Sequence, residues 1–119
     1  MTLDIHEIDD GIIQDMQELM EDNWPAMVES YLANASKYIQ AIKEGLAEDD
    51  FQKVSSGAHP LKSSSLSVGV SGIGKIAESI EVSARNIIEQ GGDGNSINEL
   101  IPSLEEALSY ADAKLQETI

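Results

Sequence analysis

Apolar residues recur at three- and four-residue steps along most of the chain, a spacing that places them on one face of an α-helix. The pattern predicts a first, short helix near the N-terminus. Its apolar positions are Ile8, Ile12, Met16 and Leu19. A longer second helix follows, with an apolar face from Met27 to Ile42 and Pro25 in its first turn, where the missing N–H costs little.

The apolar pattern in the second half of the chain predicts three further helices. The third runs from about Asp50 to Ser67, and a glycine-rich segment, 69–74, indicates a hinge or a closely packed helix entry. The apolar positions of the fourth helix begin at Ile73. A loop at 91–95 precedes the last helix, whose apolar positions extend from Ile97 to Leu115. We therefore expect an all-α fold: an antiparallel, up-down-up-down four-helix bundle with an additional short N-terminal helix, forming a single domain over residues 1–119.

Composition narrows the classes of function. The chain has 22 acidic and 7 basic residues, a net charge of −15, and no cysteine. Such a charge disfavours binding to nucleic acid or to anionic membranes and favours a monomer. The start, Met1-Thr2-Leu3-Asp4, lacks the basic and apolar regions of a signal peptide, so we expect a cytoplasmic protein.

One stretch near the middle of the chain, from Phe51 to Ala77, contains none of the 22 acidic residues. Between Phe51 and Ala77 the charged residues are Lys53, Lys62 and Lys75, and His59 lies among them. An acid-free stretch around a histidine, in so acidic a chain, indicates that a negatively charged group is received there.

His59 is predicted to face solvent, because it lies roughly 130° around the helix from the apolar stripe of the third helix. An exposed neutral imidazole can attack a phosphoryl group, and Lys62, one turn on, can offset the charge of the product. No second catalytic base, nucleotide-binding loop or magnesium-binding carboxylate cluster accompanies it, so we expect neither an enzyme nor a bound cofactor or metal. The neighbours expected to border the ring and contact a partner are Ser55, Ser56, Ser63 and Leu66.

The run Ala58-His59-Pro60-Leu61-Lys62-Ser63, followed by small residues, Val68-Gly69 and an amphipathic helix, resembles the histidine-containing phosphotransfer (HPt) domain. The resemblance implies that His59 accepts a phosphoryl group from the aspartyl phosphate of a receiver domain and passes it to another receiver, with Lys62 as its charge partner. It implies receiver domains, a hybrid sensor histidine kinase, or both as partners. The magnesium ion would belong to the receiver.

Two residues depart from the family pattern. Ser63 stands where the family usually has glycine, and Pro60 lies inside the predicted third helix. Since proline removes one helical hydrogen bond, we expect it to bend the helix locally and push His59 outward. Two other interpretations stay open: a helical adaptor that docks receivers or kinases without carrying phosphate, and a segment of a larger hybrid kinase.

Overall fold

Helices make up most of residues 4–119, the part of the chain that the computed structural model describes. In order, they are α1 (Asp10–Met20), α2 (Trp24–Ala47), α3 (Phe51–Val68), α4 (Ser71–Gln90), the one-turn α5 (Asn95–Asn98) and α6 (Ile101–Gln116). A single 3-10 turn, Glu21–Asn23, connects α1 to α2, and no strand occurs in the described range. Residues 1–3 lie outside the described range. The expectation that the N-terminus is not a signal peptide concerns these residues and stays a prediction.

The predicted bundle is confirmed. Helix α3 packs against α2 on one side and α4 on the other, and α6 closes the bundle against α2 and α4. The short connections between successive long helices make them antiparallel. The last helix is shorter than its apolar pattern indicates: Ile97 lies in α5, and α6 begins at Ile101, with Pro102 in its first turn.

One continuous hydrophobic core lies between the long helices. Its largest fully buried side chains include Ile42, Val54, Leu61, Ile73, Ile76, Ile80, Leu104 and Leu115. Burial of each such side chain stabilises the folded state by roughly 1.5–3 kcal/mol relative to an exposed position. Helix α1 is more peripheral: Ile13 is its buried residue, and Leu19, predicted on the buried stripe, is 75% exposed. The core therefore belongs mainly to the four long helices and holds α3 against α4.

Both ends of α3 are set by local chemistry. The Asp50 carboxylate accepts a hydrogen bond from the Lys53 backbone N–H at 3.1 Å, which caps the N-terminus. At the other end Gly69 adopts a left-handed conformation, with φ of 90°, and the Val70 N–H donates to the Ser65 carbonyl at 2.8 Å. The helix is continuous between these caps, Pro60 included. The expected bend at Pro60 stays a prediction.

The glycine-rich segment is a packing site for the N-terminal residues. The Asp9 N–H donates to the Gly69 carbonyl at 2.8 Å, and the Gly72 N–H donates to the Glu7 carbonyl at 2.9 Å. A Cβ atom at position 72 would lie 2.5 Å from the Ile5 carbonyl oxygen, so a side chain there would displace this segment. Of the two expectations, close packing is the one that the contacts support.

A buried hydrogen bond joins α2 to α3. The hydroxyl groups of Tyr31 and Ser65 are 2.6 Å apart, and both residues are buried. Burial raises the pKa of Tyr31 to about 12, although the hydrogen bond to Ser65 acts in the opposite direction. Tyr31 is thus a neutral structural link at physiological pH.

None of the helices formed by residues 4–119 has the length and apolar character needed to cross a membrane.

Candidate functional site

The antiparallel packing of α3 and α4 brings His59 directly over Glu81. The Nδ1 atom of His59 lies 2.7 Å from Glu81 Oε2. Lys62, one turn further along α3, places its Nζ 2.9 Å from Glu81 Oε1. Arg85, one turn along α4, donates from Nη2 to Oε2 at 3.0 Å. One carboxylate therefore binds three side chains from two helices.

The depth of these side chains differs sharply. The Glu81 side chain is 3% exposed, whereas those of His59 and Arg85 are 59% and 61% exposed. A buried carboxylate is costly unless charged or hydrogen-bonded partners compensate for its lost hydration. Lys62, Arg85 and His59 supply that compensation, so Glu81 anchors the exposed imidazole from beneath.

The ionisation state of Glu81 follows from these contacts. Burial alone raises its pKa, but the hydrogen bonds from Lys62 and His59, with the charges of Lys62 and Arg85, outweigh burial and lower the pKa below its ordinary value. Glu81 is therefore a carboxylate at neutral pH and can only accept hydrogen bonds.

An acceptor beside Nδ1 selects one tautomer of the neutral imidazole. Nδ1 carries the proton and donates a hydrogen bond to Glu81. The lone pair of the ring is therefore on Nε2. No hydrogen-bond partner of Nε2 occurs within residues 4–119. The arrangement presents a nucleophilic nitrogen at the surface, held in orientation by a buried carboxylate.

Comparison with known proteins identifies the family. A sequence model of the Hpt domain matches residues 26–114. The chain belongs to the Hpt domain family. Hpt domains carry phosphoryl groups in phosphorelays, where they interact with receiver domains and kinases, so this Hpt domain has a phosphotransfer role.

A solved structure shares the fold. The crystal structure of histidine-containing phosphotransfer protein B (HptB) from Pseudomonas aeruginosa PAO1 is similar with a TM-score of 0.84, over 94% of this chain and 93% of that one. Sequence identity is 21%, so this likeness concerns the fold. No curated protein sequence matches the chain.

The structure places the predicted site residues in different environments. His59, Ser56, Ser63 and Leu66 are exposed, as their helical positions predict. The expectation that Ser55 also faces solvent is wrong, since it is 8% exposed. Its position is only about 40° around the helix from Phe51. The buried strip of α3 is wide because α2 and α4 both pack on it, and Ser55 falls inside that strip.

The acid-free surroundings predicted for His59 are also wrong. The stretch from Phe51 to Ala77 lacks acids, but the fold brings Glu81 to His59 from 22 residues away. Lys62 consequently pairs with Glu81 and is not free above the ring. A signal was present in the sequence: Glu81 lies four residues after Ala77 and three before Ala84, inside the apolar stripe of α4. A charged residue in such a stripe requires a partner on the facing helix.

No cluster of three or more His, Asp or Glu side chains able to hold a metal occurs between residues 4 and 119. The expectation that the protein needs no cofactor stays a prediction.

The lowered pKa of Glu81 predicts an acid-sensitive contribution to stability. In the unfolded chain a glutamate has its ordinary pKa of about 4.3. Because the folded value is lower, the stabilisation is fully present above the unfolded pKa and is lost as the pH falls through the folded one. In urea titrations from about pH 7 to about pH 3, we expect the free energy of unfolding to fall more steeply in the wild type than in Glu81→Gln.

The matched control for this titration is Glu78→Gln. It removes the same charge from an exposed position on the same helix, and its slope should equal that of the wild type. Equal slopes for the wild type and Glu81→Gln would contradict the assignment.

Proposed function

We propose that this Hpt domain is a phosphorelay intermediate, in which His59 accepts a phosphoryl group from a receiver-domain aspartyl phosphate and delivers it to another receiver. The observation that carries the proposal is the hydrogen bond from His59 Nδ1 to buried Glu81. It orients an exposed ring with Nε2 directed away from Glu81.

Transfer proceeds by in-line attack of Nε2 on the phosphorus atom of the aspartyl phosphate. The bond from phosphorus to the aspartate oxygen breaks, and the aspartate leaves as a carboxylate. Lys62 stabilises the charge of the transferred group, since it lies one turn from His59 on α3, shares Glu81 with it, and can shift its Nζ from Glu81 toward the phosphoryl oxygens.

The receiver docks on the exposed surface around the ring, which we define as Ser56, His59, Ser63 and Leu66. The two serines are small enough to let a partner approach the imidazole, and Leu66, 40% exposed, supplies apolar contact area. Lys62 and Arg85 give this surface a local positive character in a chain of net charge −15. Such a surface complements the acidic pocket in which a receiver binds magnesium.

The remaining properties belong to the same proposal. The chain acts as one domain over residues 1–119, as a cytoplasmic monomer that binds neither nucleic acid nor membranes. It has no kinase activity of its own and needs no cofactor, because the receiver supplies the magnesium ion. Ser55 has no part in docking because it is buried.

The decisive variant is His59→Gln. With a radiolabelled phospho-receiver and magnesium, we expect acid-labile, alkali-stable label on the wild type and none on this variant, because the nucleophilic nitrogen is gone. The matched control is His6→Gln, which removes the other, exposed histidine and should accept label like the wild type. Receivers that bind but leave no label on the wild type would contradict the relay and favour an adaptor.

Lys62→Ala tests the charge partner. Loss of the ammonium group should slow phosphotransfer to His59 about tenfold, which corresponds to about 1.4 kcal/mol in the barrier. Stopped-flow or rapid-quench kinetics with the phospho-receiver measures this rate. Lys53→Ala removes an equal charge from the opposite side of α3, where Lys53 pairs with Glu44 and Glu48, and should not change it. Unchanged rates and an unchanged phosphohistidine lifetime in Lys62→Ala would exclude the proposed role.

A further inference from the structure

We propose that Gly74 is a positioning residue for the docking surface: because it has no side chain, α4 leaves a recess that holds Leu66 in the orientation in which Leu66 contacts the receiver domain. The inference rests on the docking part of the proposed function, since it concerns how the receiver is bound at the same site.

The space beside Gly74 is filled by the Leu66 side chain. A Cβ atom added at position 74 would lie 2.5 Å from Leu66 Cδ2 and 2.7 Å from Leu66 Cγ. The next atom across the helix interface, the backbone nitrogen of Leu66, would be at 3.6 Å, an ordinary contact distance. Within residues 4–119, Leu66 is therefore the neighbour on α3 that an added methyl group would displace.

The backbone at position 74 does not itself require glycine. The Gly74 N–H donates to the Val70 carbonyl at 3.2 Å, as in a regular helix, and its φ is not positive. Alanine forms a helix more readily than glycine does. At Gly72, by contrast, an added Cβ atom would meet the Ile5 carbonyl oxygen, so that glycine serves the fold. What glycine provides at position 74 is space for Leu66.

Leu66 lies on the face of α3 that presents His59. Seven residues make almost two helical turns, so the two side chains are separated by about 20° around the helix axis and by about 10 Å along it. A specific protein interface covers roughly 800 Å² on each partner, an area that extends beyond this distance. A receiver that brings its aspartyl phosphate to Nε2 of His59 therefore also covers Leu66.

A leucine held in place before the receiver arrives favours binding. A freely rotating side chain loses conformational entropy when a partner immobilises it, and that loss opposes association. Leu66 is 40% exposed, so more than half of it is already covered, and Gly74 lies beneath part of the covered side. The exposed remainder fits an apolar patch of the receiver beside its acidic, magnesium-binding pocket.

The test is a double-substitution cycle on Gly74 and Leu66, measured as the dissociation constant for a magnesium-loaded receiver domain that binds the wild type. Gly74→Ala should weaken binding about fivefold, because the displaced leucine presents a different surface. Leu66→Ala should weaken binding at least as much. In the Leu66→Ala background, Gly74→Ala should have no further effect. Phosphoramidate, which phosphorylates histidine without a receiver, should label Gly74→Ala at the wild-type rate.

A purely structural role of Gly74 predicts a different pattern. Gly74→Ala would then weaken binding equally with and without Leu66, and urea titration would show a loss of stability in both backgrounds. That pattern, or unchanged binding by Gly74→Ala, would overturn the proposal. A Gly74→Ala variant that does not fold would overturn it too, because the proposal requires that the Leu66 side chain alone yields to the methyl group.

Binding is measured without phosphotransfer, so the two proposals can fail separately. Receivers that show the expected coupling but leave no label on His59 would contradict the relay and support the role of Gly74. Labelling of His59 without coupling between Gly74 and Leu66 would support the relay and overturn the inference.

Discussion

The ionised carboxylate of Glu81, buried between two helices, is the constraint on which the site depends. An unpaired carboxylate at 3% exposure would be strongly destabilising, so the fold must supply donors to it. It does so with His59 and Lys62 from α3 and Arg85 from α4. The same contacts that make burial of the charge tolerable also orient the imidazole and select its tautomer. Stability and chemistry are therefore coupled through one side chain.

That coupling requires α3 and α4 to keep a fixed register. The two helices are held together by one hydrophobic core, to which fully buried residues of both contribute, Leu61 from α3 and Ile76 and Ile80 from α4 among them. Packing of this core sets the register. A shift of one residue along α4 would rotate position 81 by about 100° and remove the carboxylate from beneath the ring. The hydrophobic core is in this sense part of the site, because it keeps Glu81 in position beneath the imidazole.

The helices, their order and the exposure of His59 could be predicted from the sequence because they depend on local periodicity and capping. Leu19 and Ser55 were misplaced because burial also depends on which neighbouring helix covers a face, and periodicity along one helix does not contain that information. The partnership of His59 with Glu81 was missed for a related reason. It joins residues 22 positions apart, and their contact follows from the register of two helices and not from either helix alone.

The central claim is that Glu81 fixes the proton on Nδ1 of His59 and leaves Nε2 as the nucleophile. The most direct measurement is the 15N NMR spectrum of the two ring nitrogens of unphosphorylated His59, at a pH where the imidazole is neutral. The account predicts a protonated, pyrrole-type Nδ1 and an unprotonated, pyridine-type Nε2. A proton found predominantly on Nε2 would contradict it, since the hydrogen bond to Glu81 would then be absent and the exposed nitrogen would not be nucleophilic.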